Sequence, residues 1–235
     1  MKLRKFLVGG AISALALLGP STIAQQAKPT PQQVEAVPAT VMAKPALWKV
    51  SDADTTIYLF GTIHLLPKGI EWFDGPVAAA FGHSQELVTE IPEIAEGESI
   101  AMMLKHGTLP AGQNLRQMMT AEERAKYEAA MTGIGLPPAA FDRYKPWFAA
   151  VALATLPLQR AGYSMENGIE NQLDKRNKDL GRPRIGLETL DYQLGIFDGF
   201  SPEVQKTYLF SVIDSMPTTP QEIQKRVHAW PRGDV

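Results

Sequence analysis

Residues 56–60, Thr-Ile-Tyr-Leu-Phe, run without a break into Gly61-Thr62-Ile63-His64-Leu65-Leu66-Pro67. An uninterrupted β-branched and aromatic stretch suits a buried strand. Gly61 admits close backbone approach or an unusual φ, and Pro67 cannot continue ladder pairing. The chain must therefore carry a titratable ring to the end of a rigid element. In open α/β sheets that end is where ligands bind. A lone histidine in such a place is more often a satisfied core residue than a ligand or catalyst, so the remaining residues must decide.

The chain has 235 residues and is 45% hydrophobic, enough for one sizeable core. Its first residues read as an export leader. Lys2, Arg4 and Lys5 form a basic start, and Phe6 to Leu18 form an apolar run. That run, about 13 residues, is shorter than the roughly 20 a membrane span needs. Thr22-Ile23-Ala24 supplies a small-residue cleavage site. Removing residues 1–24 takes away those three basic residues and no acidic one, moving the formal charge from −2 to −5. No basic run remains, which argues against a nucleic-acid partner. No other apolar run approaches membrane-span length, so no stable span is expected after leader removal. Cysteine is absent, which excludes a disulfide scaffold, a thiol enzyme and a lipoprotein anchor. Together these features predict a periplasmic or extracellular protein.

Residues 25–45 are rich in Pro, Gln and Ala and read as a disordered or extended tether. The folded part is expected to begin near Ala46. Leu47 to Val50 and Thr55 to Ile63 read as a hairpin around Ser51-Asp52-Ala53-Asp54. Asp74-Gly75-Pro76 opens a helix with Val77, Ala80, Phe81 and Ser84 facing inward. Glu86 to Ile91 reads as a core strand, and Ile100 to Leu104 as a short helix. Thr120 and Glu123 make a capping box whose helix runs to Gly133. Pro137-Pro138 is expected to start a helix bearing a core cluster of Phe141, Tyr144, Trp147 and Phe148. Residues 168–180 read as a helix with Ile169, Leu173 and Leu180 on one stripe and Gly181 beyond its end. In that helix Lys175, Arg176 and Lys178 read as a solvated face. Pro183 to Glu188 reads as a short buried strand. Ser201-Pro202 opens the last clear helix, with Val204, Tyr208, Leu209, Val212 and Ile213 at helical spacing. Strands alternate with helices, which predicts an α/β fold, or α+β with a mixed central sheet and flanking helices.

Zincin, nucleophile-elbow and Walker A signatures are absent. What remains is a set of strand-end residues: His64, Glu90 and Glu188. If their strands run side by side in one direction, the three side chains converge at one sheet edge. One imidazole and two carboxylates are a partial shell for Mn²⁺, Zn²⁺ or another divalent ion. Adjacent carboxylates also make an acid or base for catalysis.

Leu59-Phe60-Gly61-Thr62-Ile63-His64-Leu65-Leu66-Pro67, Leu87-Val88-Thr89-Glu90-Ile91-Pro92-Glu93, Lys145-Pro146-Trp147, Gly168-Ile169-Glu170 and Gly186-Leu187-Glu188-Thr189 with Gln193 resemble, in order and spacing, the TraB/GumN (PrgY/TIKI-like) family. The resemblance spans about residues 46–234. It implies a fold like that of TIKI, erythromycin-esterase-like and ChaN-like proteins. It also implies a metal-dependent hydrolase of the peptidase kind, since animal members use Mn²⁺ or Co²⁺, with Zn²⁺ a further candidate. Carried over by that match, His64, Glu188 and Glu170 are candidate metal ligands, and Glu90 and Glu188 candidate catalytic residues. A peptide or small-molecule substrate is implied. The alternatives are a non-catalytic periplasmic binding or regulatory protein for a peptide or envelope component, and a polysaccharide-associated factor. The family pattern also carries a second G-x-x-H after a W-x-x-G-D element, which Trp230 and Gly233-Asp234 resemble. None of His83, His106 or His228 has glycine three residues before it. The chain is therefore expected to be incomplete at its C-terminus, either a partial sequence or a truncated product. A truncated product is expected to fold poorly and lack hydrolase activity.

Overall fold

The computed structural model describes residues 3–9 and 41–233. Seven strands and eight α-helices are described: β1 (Leu3–Gly9), β2 (Val41–Met42), β3 (Leu47–Ser51), β4 (Thr55–Gly61), β5 (Ile70–Glu71), α1 (Gly75–His83), β6 (Glu86–Thr89), α2 (Glu96–Gly107), α3 (Ala121–Gly133), α4 (Pro146–Arg160), α5 (Ile169–Asp179), β7 (Arg184–Gly186), α6 (Leu190–Asp198), α7 (Pro202–Ser215) and α8 (Thr219–Ala229). The principal sheet has the order β3-β4-β1-β6-β7. β3 pairs antiparallel with β4, and every other pair in that sheet is parallel. β2 and β5 form a separate parallel pair. The architecture is the expected mixed α and β one.

Local sequence signals account for several of these elements. Asp52 Oδ1 accepts from the Thr55 and Asp54 amides and closes the β3–β4 hairpin. Asp74 caps α1 with Pro76 in its first turn, and Val77, Ala80 and Phe81 are buried. Both halves of the Thr120–Glu123 capping box are formed on α3. Ser201 caps α7, whose inward face carries Gln205, Leu209, Val212 and Ile213, while Val204 and Tyr208 are exposed.

Other expectations are corrected. The helix expected from Pro137 begins at Pro146. The backbone of residues 142–145 is used sideways instead: the Leu109 amide donates to Arg143, Leu115 to Asp142, and Lys145 to Gly107. Those carbonyls and amides are spent on a neighbouring segment, so no helical ladder forms until Pro146 takes the first helical turn. The aromatic cluster is nevertheless core, with Phe141, Trp147 and Phe148 buried. The short helix expected at 100–104 is the twelve-residue α2. The strand expected over Pro183–Glu188 is β7, only three residues long. It lies at the sheet edge, and Ile185 and Leu187 are 40% and 62% exposed, because only β6 pairs with it. Leu180 closes α5 as an exposed residue, with Gly181 at φ +61° following. The basic face of α5 is partly engaged: Arg176 lies over the Phe73 ring, and Lys178 pairs with Asp174 and Glu93.

Of the expected leader, residues 1–2 and 10–24 lie outside the described residues, and Leu3–Gly9 is the central strand of the sheet. Of the expected tether, residues 25–40 lie outside them. Val41 and Met42 pair with β5, and Ala43 is buried and donates its amide to Glu71. Beside β1, the continuous described stretch therefore joins the fold from Val41 rather than Ala46.

The described residues form two apolar cores. One is helical and centres on α4, whose residues Trp147, Phe148, Ala149, Ala150 and Leu153 are buried among α2, α3, α6 and α7. Gly107 belongs here because a Cβ at that position would meet the Phe148 ring at 2.3 Å. The other lies against the sheet, where Phe60, Trp72, Phe81, Leu87, Leu158, Ile169 and Trp230 pack together. Phe60 stacks on Trp72 with ring centres 5.8 Å apart. Each of these large side chains contributes about 1.5–3 kcal/mol by leaving water.

Candidate functional site

β4, β1, β6 and β7 run in one direction, so their carboxyl ends lie along one edge. The sequence-predicted residues are distributed along it. His64 follows β4, Glu90 follows β6, and Glu188 follows β7.

On the β4 side, the loop beyond Gly61 is clamped to the start of α5. The Ile169 amide donates to Ile63 O at 3.1 Å. Gly168 makes the approach possible, since a Cβ there would fall 2.1 Å from the His64 carbonyl oxygen. At Gly61, by contrast, a Cβ would meet no described atom within 4 Å and φ is not positive. The steric requirement expected of Gly61 therefore belongs to Gly168. Glu170, in the first turn of α5, turns toward the loop. Thr62 Oγ1 donates to Glu170 Oε1. Glu170 Oε2 lies 2.9 Å from His64 Nδ1, with the two side chains only 13% and 15% exposed. The two side chains are close without an aligned hydrogen bond, and Glu170 Oε2 has no aligned donor. The positive end of the α5 dipole favours the carboxylate at this position. Two further contacts hold the loop: Leu66 and Ser164 exchange backbone hydrogen bonds, and Trp230 Nε1 donates to Gly61 O at 2.9 Å.

On the β7 side, parallel pairing continues past the strands. The Leu187 amide donates to Thr89 O, and the Glu188 amide to Glu90 O at 2.8 Å. Gly186 is required, because a Cβ would lie 2.3 Å from the Pro92 ring. Thr189 caps α6, and one turn later Gln193 folds back so that its Nε2 donates to Glu188 Oε2 at 3.1 Å. Gln193 is 8% exposed and its Oε1 is unpaired. Glu90 Oε2 is likewise buried without a partner. Two polar atoms of this half-site are thus desolvated and unsatisfied, a costly state that functional sites commonly retain. Arg184 braces the segment, donating to Thr89 Oγ1 and Ile91 O and pairing with Asp174.

The edge brings His64 together with Glu170, and Glu188 together with the Glu90 backbone and Gln193. It does not bring all of them into one cluster. β1 stands between β4 and β6, so the strand before Glu90 lies two strand spacings from β4, about 10 Å, and the strand before Glu188 three, about 14 Å. Among the described residues no group of three or more His, Asp or Glu is placed to hold a metal ion. The divalent ion implied for His64, Glu170 and Glu188 does not fit these residues as they stand.

One polar cluster was not legible in the sequence. His106, at the end of α2, sits between two carboxylates of α6, with Nε2 2.9 Å from Asp191 and Nδ1 3.3 Å from Asp198. Lys105 also pairs with Asp191, and Lys145 with Asp198. Lys105 and then His106 hold the Asp191 carboxyl below the ordinary carboxylate range. Lys145 begins the Lys-Pro-Trp element, so this network ties α4 and α2 to the helix that carries Gln193. Neither the spacing of His106 and Asp191 along the chain nor their types announce the contact.

No helix among the described residues is long and apolar enough to cross a membrane. No curated protein and no solved structure matches the chain. The model of the TraB/PrgY/gumN family matches residues 46–235, a span that holds His64, Glu90, Glu170 and Glu188. The chain belongs to the TraB/PrgY/gumN family.

Proposed function

We propose that the chain is an exported hydrolase of peptide-like substrates, acting at the carboxyl edge of its sheet. The observation that carries the reading is the buried, unpartnered Glu90 Oε2 on the same edge as the His64–Glu170 pair. A buried carboxylate oxygen without a partner can serve as base to a water that enters with the substrate. A ring oriented by a carboxylate is suited to hold or return a proton at the leaving group. Glu188, held by Gln193, would orient the Glu90 segment through its backbone contact. The basic start and apolar run of residues 2–18 support export to the periplasm or beyond.

A peptidase assay on the full chain tests the reading, using a mixed peptide library with and without added Mn²⁺ or Co²⁺. Glu90→Gln and His64→Ala are expected to lower the rate by about a hundredfold or more, the usual worth of a general acid or base. Equal rates in the wild type and both variants would overturn the proposal. Peptide binding without cleavage would favour the non-catalytic reading.

A further inference from the structure

The middle of the sheet is built from a segment with the composition of an export leader. All seven residues of Leu3–Gly9 pair with β4, from Leu3 opposite Thr55 to Gly9 opposite Gly61. On the other side Lys5, Phe6 and Leu7 pair with Glu86, Leu87 and Val88. β4 and β6 are not bonded to each other. Without β1 the sheet falls into two pairs, β3–β4 and β6–β7. The facing edges would then present unpaired amides and carbonyls beside the buried residues Phe60, Leu87 and Val88. Such groups need partners, and facing open edges template a strand.

We propose that the space between β4 and β6 is a strand-docking slot that takes an extended, mainly apolar peptide in trans, and that Leu3–Gly9 is its resident occupant in the full chain. The slot sets the chemistry of what it accepts. The guest runs parallel to β4 and β6, about seven residues long, and carries no proline in its middle, because its amides are used on both sides. Main-chain bonds supply affinity, as in other strand-addition complexes. A guest in this direction brings its carboxyl end to the edge where Glu90 and the His64–Glu170 pair lie. The docking stands whether or not that edge is catalytic.

The test uses the full chain and a fluorescently labelled peptide with the sequence of Leu3–Gly9. Wild-type chain and Phe6→Pro chain are titrated and anisotropy is read. The tethered strand competes at an effective concentration near millimolar, so wild type is expected to capture the peptide weakly. Phe6→Pro weakens that competitor and is expected to bind at least tenfold more tightly. A peptide carrying the same proline is expected not to bind either chain. If Phe6→Pro does not fold alone, excess peptide is expected to restore its thermal transition. Equal affinity of both chains, equal binding of the two peptides, or no capture by Phe6→Pro, folded or not, overturns the proposal. So does free hydrogen exchange of the Leu3–Gly9 amides in wild type.

Discussion

Glu170 Oε2 lies 2.9 Å from His64 Nδ1, joining the first turn of α5 to the loop beyond β4. The same carboxylate accepts from Thr62 through its other oxygen. A shared, largely buried acceptor of this kind positions the ring as well as the loop. Glu170→Ala is expected to destabilise the protein by about 1 kcal/mol, since it removes the acceptor of the Thr62 hydrogen bond and the carboxylate beside His64. Urea unfolding monitored by tryptophan fluorescence checks this; Glu170→Gln, which keeps an acceptor for Thr62, is expected to lose less.

Two glycines of the same region should respond oppositely to alanine. At Gly168 the new methyl would fall 2.1 Å from the His64 carbonyl and 2.8 Å from that of Met165. Neither backbone can move away without undoing the clamp on the loop, so a loss of about 2 kcal/mol or more is expected. At Gly61 the methyl meets no described atom and the backbone angle is ordinary, so Gly61→Ala is expected to change stability by less than about 0.5 kcal/mol. Thermal melts of the two variants side by side separate the cases.

Glu90→Gln should separate stability from activity. The buried Oε2 has no partner, and a neutral amide is less costly to desolvate than a carboxylate. The variant is expected to be as stable as wild type or up to about 1 kcal/mol more so, while hydrolysis falls. A melting temperature lowered together with activity would mean that Glu90 is structural.

Arg116 holds Asp142 with two hydrogen bonds, at 2.8 and 2.7 Å, and reaches Glu128 with a third. The Arg116 guanidinium keeps the Asp142 carboxyl below its ordinary value of 3.8. A depressed carboxylate contributes stability that is present in full above the unfolded value and is lost as pH falls through the folded one. Asp142→Asn is therefore expected to cost about 1.5–3 kcal/mol at neutral pH. The gap from wild type should shrink below pH 3.8. Chemical denaturation of both proteins from pH 7 down to pH 3 reads the difference.

Sequence alone determined the elements whose causes are local. Asp52 closes its turn, Asp74 and Pro76 start α1, Thr120 and Glu123 cap α3, and Ser201 caps α7, each through groups a few residues apart. It also placed His64, Glu90 and Glu188 at strand ends, because a strand-forming run bounded by glycine or proline can be read without its neighbours. Tertiary structure alone decided what those ends meet. Glu170 reaches His64 because Gly168 lets α5 approach the loop. His106 finds Asp191 and Asp198 because α2 packs against α6. Pro146 rather than Pro137 starts α4 because residues 107–115 claim the backbone of the preceding segment. β1 enters between β4 and β6 and holds the two half-sites apart. Pairing between distant segments depends on which edges and faces remain unsatisfied once the local elements exist, and local sequence does not record it.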